Sequence, residues 1–379
     1  MTVFTYTPRY LIFLGTDKPL TQLIVSIFPF TAFIFPPLFG FISDKIQNRK
    51  VFLLFGSFGI SLAFFLLSLT QNLIFSVIFF FIFGIFYASS SVSFTLYAEL
   101  VEDDNKLISY YNAAIVAGWF IGAQFGGVFI DINGIEKIFL YILMVSLPSI
   151  IIVLFIREKR TLILERYKSR EFSSPNGLKI NEHEEKMKIS NSIYYGLFFR
   201  NFSIKPVMPI LAIIMSIYLS SDTKVGFLIG INFFIQFFLM LLAGRVITHK
   251  NIKSFMVVGY ILSALTIFGY IISTNFWLYL LFQFVFAFSY SSHWAATVTY
   301  IAQNSTPTNK GQIMGYVNAS VFSGSFLGSL FFSLLLVFNP NYYIAMCFMI
   351  IFPIISVIII LHKFKPQQKL VNQISEIPK

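Results

Sequence analysis

The residues best equipped for chemistry in this chain lie inside apolar runs. Between 276 and 300, Gln283, Tyr290, His293, Trp294 and Thr297 recur at helical spacing, so one helix face would carry an amide, a phenol, an imidazole, an indole and a hydroxyl. Asn232 and Gln236 stand one turn apart in a second run, and Asn112, Gln124 and Asn318 add amides elsewhere. Tyr87 and Tyr97, with Trp119, offer aromatic surface. Such groups hydrogen-bond, stack and, at His293, exchange a proton. They are poorly suited to covalent catalysis. No carboxylate pair sits in an apolar run, HEEKM at His183 lacks the second histidine of a zinc-protease helix, and no GxxxxGK[ST] phosphate loop is present. Reversible binding of a small molecule is expected, with no metal and no cofactor, and neither an enzyme nor an ATP-driven pump.

The elements that must position these groups are membrane spans. The 379 residues are 57% hydrophobic and 11% charged, against about 25% charged in soluble domains, and 49 Phe exceed what a soluble core of this size would bury. Eleven runs are long enough to cross a bilayer, at 23–41, 51–70, 73–96, 107–130, 138–156, 202–219, 225–243, 255–273, 276–300, 312–338 and 342–361. A shorter piece, 2–14, precedes them. Ionisable groups at depth mark ion and cargo pathways; only Arg9 and His293 qualify on this reading, with Lys205 at a span edge. Arg9 either snorkels to the nearby interface or touches cargo, and His293 serves either cargo and proton or helix packing. A cavity so lined suits an uncharged or amphipathic organic molecule. Any coupling proton would fall to His293, Asp44 or a peripheral acid such as Asp17, Asp131 or Asp222.

Charge placement sets an orientation. With the loops at 42–50, 97–106, 157–201, 244–254 and 301–311 and the tail from 362 on one side, 22 of the 27 Lys and Arg fall there and three, Lys18, Lys137 and Lys224, fall opposite. The positive-inside rule makes the rich side cytoplasmic, the C-terminal tail included, in what is expected to be the plasma membrane. The net charge of +11 is thereby assigned to topology, not nucleic acid. The single cysteine, Cys347, excludes an intrachain disulfide, and the start has no basic n-region or small-residue cleavage site. The mixed-charge stretch 157–200, with SSPNG at its centre, reads as a cytoplasmic linker whose end, NSIYYGLFFRNF, would lie along the headgroups. The organisation is then a bundle at 1–156, the linker at 157–200, a bundle at 201–362 and a tail at 363–379.

The two halves repeat. NAAIVAGWFIG from Asn112 to Gly122 matches NASVFSGSFLG from Asn318 to Gly328 at an offset of 206. Gly40 pairs with Gly244 at 204, and Tyr87 and Tyr97 pair with Tyr290 and Tyr300 at 203. Ordered matches at nearly constant spacing point to duplication. Measured against its partner, the first span is short: twelve or thirteen helical residues cover about 20 Å of a hydrocarbon core of about 30 Å. The chain is expected to begin within that span, through a misassigned start or a truncation; a short re-entrant helix is the alternative.

One charged stretch carries a family resemblance. GFISDKIQNRK holds Gly40, Asp44, Lys45, Arg49 and Lys50 between two apolar runs. It is similar to the signature between the second and third spans of the major facilitator superfamily, with Gln47 where a glycine is common. GRVITHKNIK is a decayed second copy, keeping Gly244 and the basic His249, Lys250 and Lys253 but with Thr248 for the aspartate. GWFIGAQFGG resembles the glycine-rich motif of the superfamily's drug-efflux antiporters: Gly118, Gly122, Gly126 and Gly127 match, and Ala123 replaces the proline. The resemblance implies an all-α membrane fold of two pseudo-symmetric six-helix bundles, its first helix incomplete here. It also implies a cargo site between the bundles and a cytoplasmic gate at Gly40, Asp44, Lys45, Arg49 and Lys50. Gly40 would allow close helix approach, and Asp44 would accept hydrogen bonds from the start of the span near Gly311 and Gln312, worth about 0.3–1 kcal/mol where exposed. The alternative is a purely topogenic charge cluster. Gly118, Gly122, Gly126 and Gly127, with Gly324 and Gly328 in the repeat, would pack helices closely, against the eighth span or another.

Candidate cargo-contacting residues are therefore Arg9, Tyr87, Asn112, Trp119, Asn232, Gln236, Gln283, Tyr290, His293, Trp294 and Asn318. The function expected is secondary transport of a small organic molecule by alternating access, by a monomer in the lipid bilayer, with a proton or ion as the coupling partner if there is one. A non-transporting receptor or scaffold of the same fold is the competing class.

Overall fold

A computed structural model describes residues 2–46, 48–100, 105–157, 189–304 and 310–364. Fifteen α-helices run in order among them: α1 (Thr2–Phe13), α2 (Lys18–Val25), α3 (Ile27–Ile46), α4 (Arg49–Leu69), α5 (Leu73–Ser89), α6 (Val92–Leu100), α7 (Asn105–Asn133) and α8 (Ile138–Phe155), then α9 (Asn191–Tyr218), α10 (Asp222–Val246), α11 (Ile252–Ile272), α12 (Phe276–Asn304), α13 (Lys310–Phe338), α14 (Tyr342–Met349) and α15 (Ile351–Lys363). A 3₁₀ turn, Ile135–Lys137, precedes α8. Ten stretches of these helices are long and apolar enough to cross a membrane. Two expected spans fall outside that set. The 12 residues of α1 are too few, and the 29 residues of α12 are long enough but diluted by Gln283, Ser289, Tyr290 and His293.

Local sequence explains the breaks. Asp17 caps α2, its carboxylate accepting from the Leu20 N–H at 2.8 Å, so the second span starts five residues before the apolar run at 23. Asn72 and Asn341 cap α5 and α14 in the same way. Three consecutive serines separate α5 from α6: Ser89 and Ser90 turn their hydroxyls back onto the carbonyls of Phe86 and Tyr87 three residues earlier, which competes with the helical ladder.

The helices form two groups whose internal packing matches. In the first, α4 packs on α5 and α8, α3 on α5, and α1 on α7; in the second, α11 packs on α12 and α15, α10 on α12, and α9 on α13. Side chains repeat the correspondence. Lys50, at the start of α4, donates to the Leu154 carbonyl at the end of α8 at 2.7 Å; Lys253, at the start of α11, donates to the Leu361 carbonyl at the end of α15 at 2.8 Å. Each ammonium meets the negative end of a helix. Gly56 abuts Ser89 and the Phe86 carbonyl, and Gly259 abuts His293 and the Ser289 carbonyl. The offset is 203 in both cases, that of Tyr87 and Tyr290. Lys50, Lys253 and their neighbours mark what is here called the basic face; the turns after α1, α4, α9 and α11 lie at the far face.

The groups meet along three seams: α7 on α10, α2 and α3 on α13, and α1 on α9. Glycine sets the first. Gly127 lies against the Asp222 backbone, Gly226 against the Ala123 carbonyl and Gly230 against Phe120, so the two helices touch nearly backbone to backbone. Within the groups, Gly122 and Gly126 meet Thr2 and Tyr6 of α1, while Gly324 and Gly328 meet the carbonyls of Phe198 and Phe202 of α9. Pro206 lacks the N–H that would hold the Phe202 carbonyl, and Gly328 fills the space beside it. Two glycines depart from the expectation of close packing. A Cβ at Gly40 or Gly118 would meet nothing within 4 Å, because the helices diverge there.

The second group also begins earlier than expected. α9 starts at Asn191 and is the most enclosed span, so NSIYYGLFFRNF is its first three turns, not a headgroup segment, and Arg200 belongs to the helix, not the linker. Between Ile193 and Phe199 only Gly196 weakens the helix, where Tyr260 and Ile360 pack against it, and the first proline comes at Pro206. The rest of the expected linker, 158–188, and the tail from 365 lie outside the described residues. One pair of glycine substitutions tests the packing. Gly328→Ala drives a methyl into the Phe202 carbonyl and is expected to cost about 1–3 kcal/mol, seen as a lower Tm in detergent. Gly118→Ala, facing open space, is expected to leave Tm unchanged.

Candidate functional site

Polar groups tie the two halves together at the far face. Asp131, two residues from the end of α7, accepts at its carboxylate from the Ser221 hydroxyl (2.5 Å), the Asp222 N–H (2.8 Å), and the Thr223 N–H and hydroxyl (2.8 and 2.6 Å). One carboxylate of the first half thus satisfies the first turn of α10 in the second, where orphan N–H groups and the helix dipole favour an anion. Arg9 of α1 forms an ion pair with Asp222, again between halves. Two carbonyls complete the clasp, with Lys18 donating to Pro340 (2.8 Å) and Ser333 to Pro19 (2.8 Å); deeper, at the middle of α9, the buried Gln22 donates to the Pro206 carbonyl (3.3 Å).

Toward the basic face, a cleft of about 440 Å³ lies between the halves, lined by Phe33 of α3, Tyr194 and Tyr195 of α9, and Tyr316, Ser320 and Ser323 of α13. Above it, near mid-depth, the second half holds a buried polar cluster. The Arg200 guanidinium donates from Nε to Ser263 (3.1 Å) and from Nη1 to Asn201 (3.4 Å), and lies 5.6 Å from the Tyr290 ring and 6.0 Å from that of Phe286. Ser263 and Ser289 share a hydrogen bond of 2.7 Å. His293 holds the Ser289 carbonyl at Nδ1 (2.7 Å), which puts a proton on Nδ1 and leaves Nε2 as an acceptor. Its ring packs 5.5 Å from both Tyr260 and Tyr290. A second cluster joins α10 to α12. Asn232 donates to the Gln283 carbonyl (3.0 Å) and accepts from Gln236, and the side-chain Nε2 of Gln283 has no partner.

The residues expected to contact cargo divide accordingly. Asn232, Gln236 and Gln283 come together, as do Tyr290, His293 and Trp294, the last stacked on Tyr290 at 6.2 Å. Trp119 reaches across the seam, edge-on to Phe233 at 5.5 Å. Tyr87 stays in the first half beside Phe28, Asn318 is exposed on α13, and Arg9 is taken up by Asp222. The side chains of Asn112 and Asp44, and the start of α13 that Asp44 was expected to meet, lie outside the described residues; Lys45 is exposed and Arg49 buried. The sequence reading missed two cations. Arg200 is 1% exposed and Lys205 lies near the middle of α9, so the expectation of a second half without charge at depth is corrected. The missing signal was the unbroken helical run upstream of residue 202; a window placed by hydropathy alone cut it at the arginine.

The far-face clasp has a direct readout. In a Cys347→Ser background, spin labels at the exposed Gln71 and Thr274 report the separation of the halves at that face. Asp131→Ala removes the contact to the first turn of α10, worth about 1–2 kcal/mol. A longer-distance population rising about tenfold is expected, and an unchanged distance distribution would count against the clasp.

Comparison with known proteins agrees with this geometry. No curated protein matches the chain. Among solved structures it is similar to a variant of the nucleoside transporter NupG (12% identity, 96% of each chain covered, TM-score 0.73). It is also similar to a POT family transporter in complex with a thioalcohol-conjugated peptide (13% identity, 95% of this chain and 91% of that one, TM-score 0.74). A third is the inward open conformation of the xylose transporter XylE from E. coli (14% identity, 97% and 93%, TM-score 0.68). These are transporters, not enzymes, and at such identity they establish the fold. The family model described as the MFS_1 like family matches residues 2–339, and the chain belongs to that family of major facilitator membrane transporters.

Proposed function

We propose that this protein is a secondary carrier that moves a small organic molecule across the membrane by alternating access, along a path between its two helix groups. In this reading the first bundle comprises residues 1–156 and the second runs from α9 to residue 362. The basic face and the tail lie in the cytoplasm, in keeping with the distribution of Lys and Arg. Each chain encloses a whole path, so a monomer suffices.

One observation carries the reading: among the described residues, Asp131, Arg9, Lys18 and Ser333 bridge the halves at the far face, and a cleft between the halves opens toward the basic face. A carrier needs two such closures, each weak enough to be exchanged for the other. The basic-face closure would be formed by Asp44 and its basic neighbours once the far-face clasp lets go. The polar groups at mid-depth, Asn232, Gln236, Gln283, Tyr290 and His293, are the cargo contacts of this reading, and the acceptor Nε2 of His293 is its proton site. The chain is also similar in fold to a D-xylose-proton symporter, which supports asking about protons first.

Uptake of labelled compounds into proteoliposomes tests the reading, since a receptor or scaffold would bind without flux. Asp44→Asn is expected to slow uptake several-fold while leaving cargo affinity within about twofold, because it alters an equilibrium between conformations and not a cargo contact. Unchanged uptake in that variant would remove the gating role.

A further inference from the structure

Lys205 and Arg200 together present positive charge that no carboxylate among the described residues answers. Among the described residues, the carboxylates in the helices and their caps are Asp17, Asp44, Glu99, Asp131, Glu136 and Asp222, all near helix ends, and the ion pair present is Arg9 with Asp222. Arg200 is buried against neutral groups, and its Nη2 has no partner. Lys205 is exposed and, among the described residues, makes no hydrogen bond or ion pair. Two uncompensated cations at this depth are expensive to hold.

The direction of Lys205 follows from its neighbours on α9. Arg200 reaches Ser263 of α11 and the rings of α12, Phe202 lies against Phe331 of α13 and Phe352 of α15, and Ser203 donates to Met349 of α14. Lys205 is five residues beyond Arg200, roughly 140° around the helix and about 7.5 Å along it. That sector is left between α12 and α13. The first half closes it: Gln22 binds the carbonyl of the adjoining Pro206. An exposed side chain on the most enclosed span therefore faces the interior between the halves, about 15 Å deeper than the cleft at Tyr194 and Tyr195.

We infer that Lys205 binds an oxyanion on the cargo, a carboxylate or a phosphate, with the Arg200 charge behind the wall adding to the attraction. The cargo class is thus a small organic anion that enters by the cleft and is held deeper, at Lys205. This rests on the carrier reading for the word cargo, but the anion site stands or falls by binding alone.

The full-length protein in nanodiscs is titrated, with Tm as readout, against three matched probes: benzoate, phenyl phosphate and benzyl alcohol. A saturable rise in Tm with benzoate or phenyl phosphate, and none with benzyl alcohol, is expected, and whichever anion binds names the headgroup. Lys205→Gln is expected to weaken that binding at least tenfold and Lys205→Arg less than threefold. Without probe, Lys205→Gln is expected to melt no lower than wild type, since it discharges an unpaired cation, and this shows that the loss is not misfolding. Equal response to benzyl alcohol, no saturable response to either anion, or full anion affinity in Lys205→Gln would overturn the inference. Anion binding without flux in proteoliposomes would sink the carrier reading and leave the site; flux of a neutral compound without anion binding would do the reverse.

Discussion

Asp131 supplies to α10 most of the acceptors that its first turn meets: the helix's own cap, Ser221, accepts from the Thr223 N–H at 3.2 Å, and the carboxylate from the other half takes the Ser221 hydroxyl, the Asp222 N–H and both donors of Thr223. The start of a helix cannot satisfy these donors from within, and near a membrane interface an unmet N–H is costly. By lending its carboxylate across the seam, α7 makes the seating of α10 depend on the position of the other half. The glycine contacts below it follow from the same approach: Gly127 and Gly226 leave room for the two backbones to come together as far as the carboxylate requires. A methyl at either position would hold the helices apart.

Such a clasp is suited to being released. Its hydrogen bonds run to exposed or partly exposed atoms, so water can replace them, and the surface they hold together is partly apolar ring contact such as Trp119 on Phe233. Charge-assisted contacts of this kind contribute a few kcal/mol at most, within the range that a bound ligand or an opposing closure can offset. The interiors of the two halves are different. There Ser263, Ser289 and the Lys253 cap, or Lys50 and its carbonyl, link helices of one group, and buried aromatic side chains fill the space between them. Motion of the halves as units is the mechanical consequence of strong internal packing joined by seams of exchangeable bonds.

The second half is where charge was concealed. Arg200 sits among serines, an asparagine and ring faces, which take up two of its five N–H donors and do not neutralise it. Aromatic faces and hydroxyls lower the cost of a buried guanidinium without removing its field. The first half has Thr2 and Tyr6 in α1 against the glycines of α7; its Arg9 is paired with Asp222 and its buried Arg49 lies at the start of α4. Among the described residues, the mid-helix cations Arg200 and Lys205 belong to the second half, which makes the duplicated architecture chemically asymmetric.

How much of this was legible in the chain depends on whether the physics is local. The bilayer imposes a length and an apolar composition on every span, so most spans, the charge asymmetry and the duplicated halves could be read directly, down to the equivalence of Tyr87 with Tyr290. Polar stripes could be read as well, since helical periodicity places Tyr290, His293 and Trp294 on one face before any neighbour is known. What each polar group meets could not. That Asp131 binds α10, that Arg9 is claimed by Asp222, and that Lys205 has no partner among the described residues are relations between residues up to hundreds of positions apart. Hydropathy averages over a window and so misplaced the start of α9; only the packing of α11, α12 and α13 around that helix decided which cation it hides and which it presents.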